Sequence, residues 1–533
     1  MTQREVLETA STALSAGDAA PRGETAITVE RVFTEILGGS SLPHSASLFD
    51  LGLDSVSVAL ACARLEQVTG VRVRFTQLFR TRTVAQLAAW IDATRETSDG
   101  GAGSPARRGA ELVAITPMQA STVGHDIVPK MAWWFDAEID DVALAGAAND
   151  VHRRHQALHA KYLTGPDLGL AEIPADPGKA QFHRLPQEDT DAAAADALWR
   201  ALRQPLRLSE GEIWRCAIVR SAASGRNQFG VAAHHAAFDG QSFAILNEEL
   251  SAAYAARAAG TVPQWPGRVA SLAELAADYR HQLAAHDADA QRRYWRTEYD
   301  GLPSCFLPGR NDAPAPPSGP AADRDFTVSN AQLRIWEDYA RANGMPASVG
   351  MAAVYVQAII RAGGPPDFGL MVGIANKAGE VIDRTITNRV GTILLRPNGP
   401  SRSGPHLLAR MRDTYYQAMA MKDILLDPKE VASVFSDPNS DGVILPGIPI
   451  MVYNSTLTLS LGGVAGTVDP QLLSWKKAGP DLVLEVVPGA EGLSLHMVVR
   501  TDLYQASLAD QLGQHFIDII NDGPERLELE NAR

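Results

Sequence analysis

Two adjacent histidines at the end of an apolar run are the residues of this sequence that most directly suggest chemistry. The stretch VAAHHAAFDGQS, residues 231–242, places His234 and His235 shortly before Asp239 and Gly240. Imidazole exchanges protons near neutral pH, and a loop between a core strand and a helix can present such a group to a substrate. The pattern therefore indicates an acid–base site or, alternatively, one packed and one exposed histidine. A metal site of His234, His235 and Asp239 has no further ligand cluster to complete it.

A second group of histidines lies in VHRRHQALH, where His152, His155 and His159 share roughly one face of a predicted helix. Such a set can bind a metal ion. We expect a solvated basic helix end here instead, and we predict no metal site.

A serine at the start of a predicted helix is the third candidate. Ser55 follows LFDLGLD, and an Asp54–Ser55 pair in this position is typical of a helix N-cap, because side-chain oxygens there accept from unpaired backbone N–H groups. The same position suits a covalently attached phosphate group, because a helix N-terminus favours an anion.

Composition disfavours several classes of partner. The chain of 533 residues has 62 acidic and 48 basic side chains and a net charge of −14, so we expect no nucleic-acid or membrane partner. Three widely spaced cysteines (Cys62, Cys216 and Cys305) without a CxxC pattern fit a reducing compartment. There is no apolar run of 18 residues and no secretory h-region, and we predict a soluble cytoplasmic protein.

The hydrophobic pattern divides the chain into a small helical domain and two mixed lobes. We expect a partly disordered tail over 1–27, a bundle built on three helical patterns over 28–94, and a Gly/Ser-rich linker over 95–112. Strand and helix patterns then alternate through 113–300 and 301–525, with a proline-rich break at 307–325.

The helical domain resembles an acyl or peptidyl carrier protein over its whole length, through LGLDS, the LE near the end of the second helix and the threonine before the last one. The resemblance implies a four-helix-type bundle that carries 4′-phosphopantetheine on Ser55, attached by a phosphopantetheinyl transferase. Leu53 stands where peptidyl members usually have glycine, so acyl and peptidyl cargoes both remain open.

The motif HHxxxDG, followed by Gln241 and Ser242, resembles the signature of the condensation-domain superfamily of nonribosomal peptide synthetases. The similarity extends over 113–525 and includes RRHQALHAKY, VGIANKAGEVIDRTITNRVGTILLRP and DLVLEVVPGAEGLSLHMVVRTDLY. It implies an α/β condensation domain of two chloramphenicol-acetyltransferase-like lobes around a tunnel. It also implies an enzyme that joins an amine to a thioester-bound acyl group, within a carrier–condensation didomain.

The resemblance assigns roles to the motif. His235 takes the amine proton or orients the amine, and His234 supports the loop. Asp239 pairs with a cation of the other lobe, for which Lys377 is the candidate, and Gly240 lets the backbone pass close to the arm or the helix start. The family usually has arginine at the position of Lys377 and an HQDVPFE-like stretch in place of KDILLDPKE, which leaves the substrate preference and part of the carrier-docking surface open.

Three relatives of the same fold are the alternatives. An epimerisation domain shares HHxxxDG but needs a second acid–base group, for which ANKAGEVIDR offers only Glu380. A heterocyclisation domain has DxxxxD in place of HHxxxDG. A non-catalytic recruitment domain loses the second histidine or the glycine, which are both present here.

The expected partners follow from the same resemblance. No adenylation domain is recognisable, so we expect Ser55 to be charged by a separate adenylating enzyme or an upstream synthetase module. The acceptor is then another carrier protein or a soluble amine. Because the carrier precedes the condensation domain, we predict that Ser55 holds the donor.

Overall fold

The computed structural model describes residues 23–37, 42, 61, 64–65, 68–71, 73, 81, 83–98, 110–125, 127–163, 169–311, 316, 318–376, 378–399, 406–427, 430–431, 434, 447–453, 456–469 and 477–531. In the N-terminal helical region these include helices α1 (Glu24–Leu37) and α2 (Val84–Ser98). Their apolar faces share a core that includes Phe33 of α1, Ile91 of α2 and Leu65 of the intervening chain. Gly70 has φ 73°, the left-handed conformation expected of a residue that follows a helix.

The first lobe contains one larger sheet, one small sheet and the helices that cover them. Its elements are β1 (Glu111–Ala114), α3 (Pro117–Val123), β2 (Lys130–Phe135), α4 (Asp141–Arg154), β3 (Lys161–Tyr162), β4 (Leu170–Ile173), β5 (Gln181–Arg184), α5 (Asp191–Leu202), β6 (Trp214–Arg220), β7 (Asn227–Ala233), α6 (Gly240–Ala258), α7 (Leu272–Ala284) and α8 (Ala288–Tyr299). Strand β7 lies between β2 and β6 and is antiparallel to both, and every residue of β7 is buried. The strand that leads to the paired histidines is therefore a central strand.

The second lobe is built on a sheet with the order β10-β9-β11-β16-β17-β8-β15. Its elements are β8 (Gly319–Ser329), α9 (Asn330–Ala342), α10 (Ala347–Arg361), β9 (Leu370–Ala375), α11 (Glu380–Asp383), β10 (Val390–Leu395), α12 (Leu407–Ala420), β11 (Ile448–Val452), β12 (Ser460–Leu461), β13 (Val464–Ala465), β14 (Thr467–Val468), β15 (Lys477–Ala478), β16 (Leu482–Gly489), β17 (Gly492–Arg500), α13 (Ser507–Asp522) and α14 (Pro524–Asn531). Helices α10, α12 and α13 cover one face of this sheet and complete its main core.

A segment of the second half of the chain crosses into the first lobe. Strand β14 pairs with β2 in antiparallel orientation, and Leu457, Leu459 and Leu461 are buried in the core of the first lobe. The indole Nε1 of Trp133 donates to the carbonyl of Leu457 at 2.6 Å. The two lobes are therefore joined by a shared sheet and a shared core as well as by the chain itself.

Two elements begin within the segments predicted as the proline-rich break and the tail. Strand β8 begins at Gly319, inside the predicted proline-rich break, because its backbone pairs with β15 at 319–320 and with β17 over 321–329, although most of its side chains are partly or fully exposed. Helix α1 begins at Glu24 inside the predicted tail, where the hydroxyl of Thr25 donates to Asp92 of α2 at 2.6 Å. Among the described residues, no helix is both long and apolar enough to span a bilayer.

Candidate active site between the lobes

The paired histidines lie in a tight turn directly after the central strand β7. The backbone N–H of His234 donates to Ile213 and that of His235 to Ile127, each at 2.9 Å. The N–H of Ala237 donates back to the carbonyl of His234 at 3.0 Å, which closes the turn. The loop is therefore bound by backbone contacts on both sides before helix α6 begins.

The ring of His234 holds this turn from inside. It is buried, its Nδ1 accepts from the N–H of Ala236 at 3.1 Å, and its Nε2 lies 2.8 Å from the carbonyl of His125. Because Nδ1 accepts, Nε2 carries the proton and donates. These contacts fit the supporting role expected of His234.

His235 has a different environment. Its side chain is partly exposed, whereas Nδ1 itself is buried and has no hydrogen-bond partner in the described part of the chain. The accessible part of the ring therefore lies away from Nδ1. This arrangement leaves the ring available to a ligand on its accessible side.

Asp239 fixes the start of helix α6 and also binds the second lobe. Its Oδ1 accepts from the backbone N–H of Ser242 at 2.9 Å, which is an N-cap bond. Its Oδ2 accepts from the backbone N–H of Arg389 at 2.9 Å. Asp239 is buried; its bond to Ser242 is buried, and its bond to Arg389 is partly buried.

Ser242 adds a second contact between the lobes at the same place. Its Oγ lies 2.8 Å from Oδ1 of Asp239 and 2.9 Å from the carbonyl of Thr387, and it accepts from the N–H of Thr387 at 3.2 Å. One turn of helix is thus joined to residues 387–389, immediately before β10. The HHAAFDG loop is positioned by both lobes.

Gly240 is exposed at the first position of α6. A Cβ built on it would lie 4.0 Å from Cε1 of Tyr453, which is an ordinary contact distance. Tyr453 follows β11 of the second lobe, so its ring lies against the start of α6. The space at Gly240 is therefore bounded by the second lobe.

The remaining predicted site residues lie outside the described residues. These are Ser55 and Lys377, and the pairing of Asp239 with Lys377 stays a prediction. Sequence reasoning missed Arg389, which meets Asp239 through its backbone while its guanidinium donates to Asp278 at 3.0 Å and to the carbonyl of Asn376 at 3.2 Å. A search for a cationic side chain cannot find a backbone donor.

The expectation of a solvated basic helix end at His152, His155 and His159 is wrong. All three rings are buried, because helix α4 ends at Arg154 and the chain turns inward. Burial is the main cause of the lowered pKa of each imidazole, and the pKa of His152 falls to about 4. Among the described residues, no group of three or more His, Cys, Asp and Glu side chains is placed to hold a metal ion.

His155 instead connects three parts of the structure. Its Nε2 lies 2.7 Å from Glu249 of α6, and its Nδ1 accepts from the N–H of Ile386 at 3.1 Å. Glu249 also accepts from Arg154 at 2.8 Å. This network joins the end of α4 to the helix that carries Asp239 and to the segment that Asp239 binds.

Comparison with known sequences identifies a family for each part of the chain. Residues 127–528 match the condensation domain family, and residues 28–91 match the phosphopantetheine attachment site family. The chain is 23% identical to one of the linear gramicidin synthase subunits of Brevibacillus parabrevis, covering 95% of this chain and 10% of that protein. It is 24% identical to the dimodular nonribosomal peptide synthase of Bacillus subtilis (strain 168), covering 97% of this chain and 22% of that protein. The chain thus spans only a small part of these relatives.

Solved structures show the same fold. The condensation domain from the monacolin K polyketide synthase MokA superposes with a TM-score of 0.64 at 16% identity, over 79% of this chain and 98% of that one. The first condensation domain of the CDA synthetase superposes with a TM-score of 0.62 at 18% identity, over 78% of this chain and 97% of that one. The X-domain from teicoplanin biosynthesis superposes with a TM-score of 0.62 at 19% identity, over 78% of this chain and 96% of that one. With the HHxxxDG loop held between two such lobes and a phosphopantetheine attachment domain ahead of them, this chain belongs to the condensation domain family of nonribosomal peptide synthetases.

Proposed function

We propose that this chain forms an amide bond between an acyl or peptidyl group carried on phosphopantetheine at Ser55 and the amino group of an acceptor. The observation that most supports this proposal is the HHAAFDG loop. It presents a partly exposed His235 on a turn that contacts from both lobes hold in place. A rigid support of this kind is what an acid–base group requires, because a small displacement of the reacting groups is costly in rate.

The proposed reaction is aminolysis of a thioester. The neutral amine attacks the carbonyl carbon, a C–N bond forms, the C–S bond breaks, and the thiol of the arm leaves. One amine proton must be lost as the C–N bond forms, and His235 accepts it and passes it to the leaving sulfur. A positioned imidazole contributes about 10²–10⁴-fold in rate to such a transfer.

Asp239 acts in this proposal through geometry. Its carboxylate holds the start of α6 and the N–H of Arg389, so it keeps the lobes in register around His235. The phosphopantetheine supplies the reactive thioester and a long tether. With Ser55 as the donor site, the 12 residues between α2 and β1 (99–110) can span at most about 40 Å when extended, a reach that suits delivery within one chain.

Two alternatives of the same fold remain testable. For an epimerisation domain the candidate second acid–base group is Glu380, but its side chain is 76% exposed and pairs with Arg384 at 3.1 Å. A non-catalytic domain is the other alternative, because the likeness to the teicoplanin X-domain is as good as that to the condensation domains.

One experiment separates the three functions. The protein is converted to the phosphopantetheine form, loaded with an aminoacyl group, and incubated in D₂O with free or carrier-bound amines. Intact-mass spectrometry of protein and small molecules then follows both reactants. Amide formation supports the proposal. Deuterium uptake at the α-carbon without coupling contradicts it in favour of epimerisation, and an unchanged thioester contradicts it in favour of a non-catalytic role.

A further inference from the structure

One residue from each of five neighbouring strands forms a row across the sheet of the second lobe. Met451 pairs with Glu485, Glu485 with His496, and His496 with Asp325. On the other side, Ile450 pairs with Val372, so the next residue along β11, Met451, lies beside Gly373. The row therefore runs from Gly373 of β9 to Asp325 of β8.

This row lies on the face of the sheet that is turned to the first lobe. In β16, Leu484 and Val486 belong to the core beneath the helices of the second lobe. Side chains alternate between the two faces of a strand, so Glu485 and Val487 lie on the opposite face. Val487 is buried in the core of the first lobe, and Tyr453 packs against the same core. Glu485 is therefore directed into the region between the lobes.

The carboxylate of Glu485 is buried. It is 4% exposed, and it accepts from the phenol of Tyr453 at 3.2 Å. A carboxylate that is removed from water favours a cationic ligand over a neutral one, because the charge is costly to bury. Burial, and after it the charge of Glu485, raises the pKa of Tyr453, so the phenol stays protonated and donates.

Two strands away from Glu485, the same row borders an open space. A Cβ built on Gly373 would meet no atom within 4 Å, although Gly373 lies within strand β9. Tyr453, the partner of Glu485, also lies against the start of α6, 4.0 Å from the position of a Cβ on Gly240. Tyr453 therefore connects Glu485 with the start of α6, and the open space over Gly373 lies two strand spacings, about 10 Å, from Glu485 along the row.

We propose that Glu485 and Tyr453 bind the amino group of the acceptor, and that the space over Gly373 receives the acceptor's side chain. This inference rests on the proposed function. The two reactants differ in the group that reacts: the acceptor reacts through an amine that enters as an ammonium group of pKa about 8, whereas the donor reacts through an uncharged thioester carbonyl. A buried carboxylate favours the cation and selects against the thioester.

The protons balance with Glu485 in this role. The carboxylate takes one proton from the ammonium, which gives the neutral amine and a carboxylic acid. The amine then attacks the thioester, and of its two remaining protons one stays on the amide nitrogen and one passes through His235 to the thiol. The products are the amide, the thiol and protonated Glu485, which returns its proton to water after the amide leaves.

The test measures binding separately from turnover. Saturation-transfer NMR compares a panel of the twenty amino acid amides with their N-acetylated forms, which have no ammonium group, on the holo protein. The variants are Glu485→Gln, Tyr453→Phe and Gly373→Val. Asp325→Asn is the matched control, since it makes the same chemical change in the same row at a side chain that is 71% exposed.

We expect at least one amide to bind the wild type in preference to its acetylated form. Glu485→Gln should weaken that binding at least about tenfold, and Tyr453→Phe about 2- to 10-fold, as is typical for a charged and a neutral hydrogen bond. Gly373→Val should weaken binding more as the side chain of the amide grows, and Asp325→Asn should leave binding unchanged. If Glu485→Gln does not fold, Tyr453→Phe and Gly373→Val carry the same test.

The possible outcomes distinguish this site from the proposed function. Amine-selective binding that depends on Glu485, with no amide formed from any loaded donor, supports the site and contradicts the function. Amide formation with an unchanged KM for the amine in the folded variants supports the function and overturns the site. Absence of preference for the free amines across the whole panel also overturns the site.

Discussion

Replacement of Asp239 by alanine should destabilise the protein by more than the loss of an ordinary helix cap. The variant loses the N-cap bond to Ser242, which is worth about 0.5–2 kcal/mol. It also leaves the partly buried N–H of Arg389 without its acceptor, at a cost of about 1–3 kcal/mol. We therefore expect a loss of about 1.5–5 kcal/mol in the free energy of unfolding.

Asp140→Ala is the matched control for this measurement. Asp140 caps helix α4 through the N–H groups of Val142 and Ala143, each at 2.9 Å, and the cap is exposed on the first lobe. This variant should lose only the cap contribution of about 0.5–2 kcal/mol.

Urea unfolding monitored by tryptophan fluorescence compares Asp239→Ala and Asp140→Ala with the wild type, and a thermal scan provides a second readout. At about 2–4 °C per kcal/mol, Asp239→Ala should lower the melting temperature by at least about 3 °C. Equal losses of stability in the two variants would refute the reasoning, because the contact with Arg389 would then contribute nothing.

Three further predictions concern single side chains. His235→Ala should keep the fold and the loading of Ser55 but reduce amide formation at least ~10²-fold in a product assay; unchanged turnover would contradict its role. Ser55→Ala should gain no mass from coenzyme A and a phosphopantetheinyl transferase, whereas Ser57→Ala should gain one arm. The wild type should lose stability as the pH falls from 6.5 towards 4, because the unfolded chain binds protons that buried imidazoles such as His152 do not. His152→Gln should reduce that slope by up to about 1.4 kcal/mol per pH unit, and a slope equal to that of the wild type would contradict this account.

The parts of the site that depend on local pattern were predictable. An apolar run followed by HHAAFDG and a helical pattern placed His235 on a loop between β7 and α6, and the structure has this arrangement. Asp239 at the start of a helix follows from the same pattern, since aspartate is a preferred N-cap residue.

Contacts between distant parts of the chain were not predictable from the sequence. Arg389 meets Asp239 through a backbone N–H, a group that every residue except proline possesses. Glu485 and Tyr453 are 32 positions apart and meet only because β11 and β16 are parallel neighbours. His155 looked like a surface residue because its spacing fits a helix face, but the helix ends one residue earlier.

The most direct test of the central claim follows the acyl group itself. The holo protein is loaded at Ser55 with an isotopically labelled aminoacyl group and mixed with free or carrier-bound amines, and intact masses of both partners are measured over time. The account predicts that the label leaves Ser55 and appears on the amine as an amide, and that His235→Ala retains it on Ser55. Label that stays on Ser55 while the Ser55 arm gains the mass of the partner's acyl group would contradict the account, because this carrier would then be the acceptor.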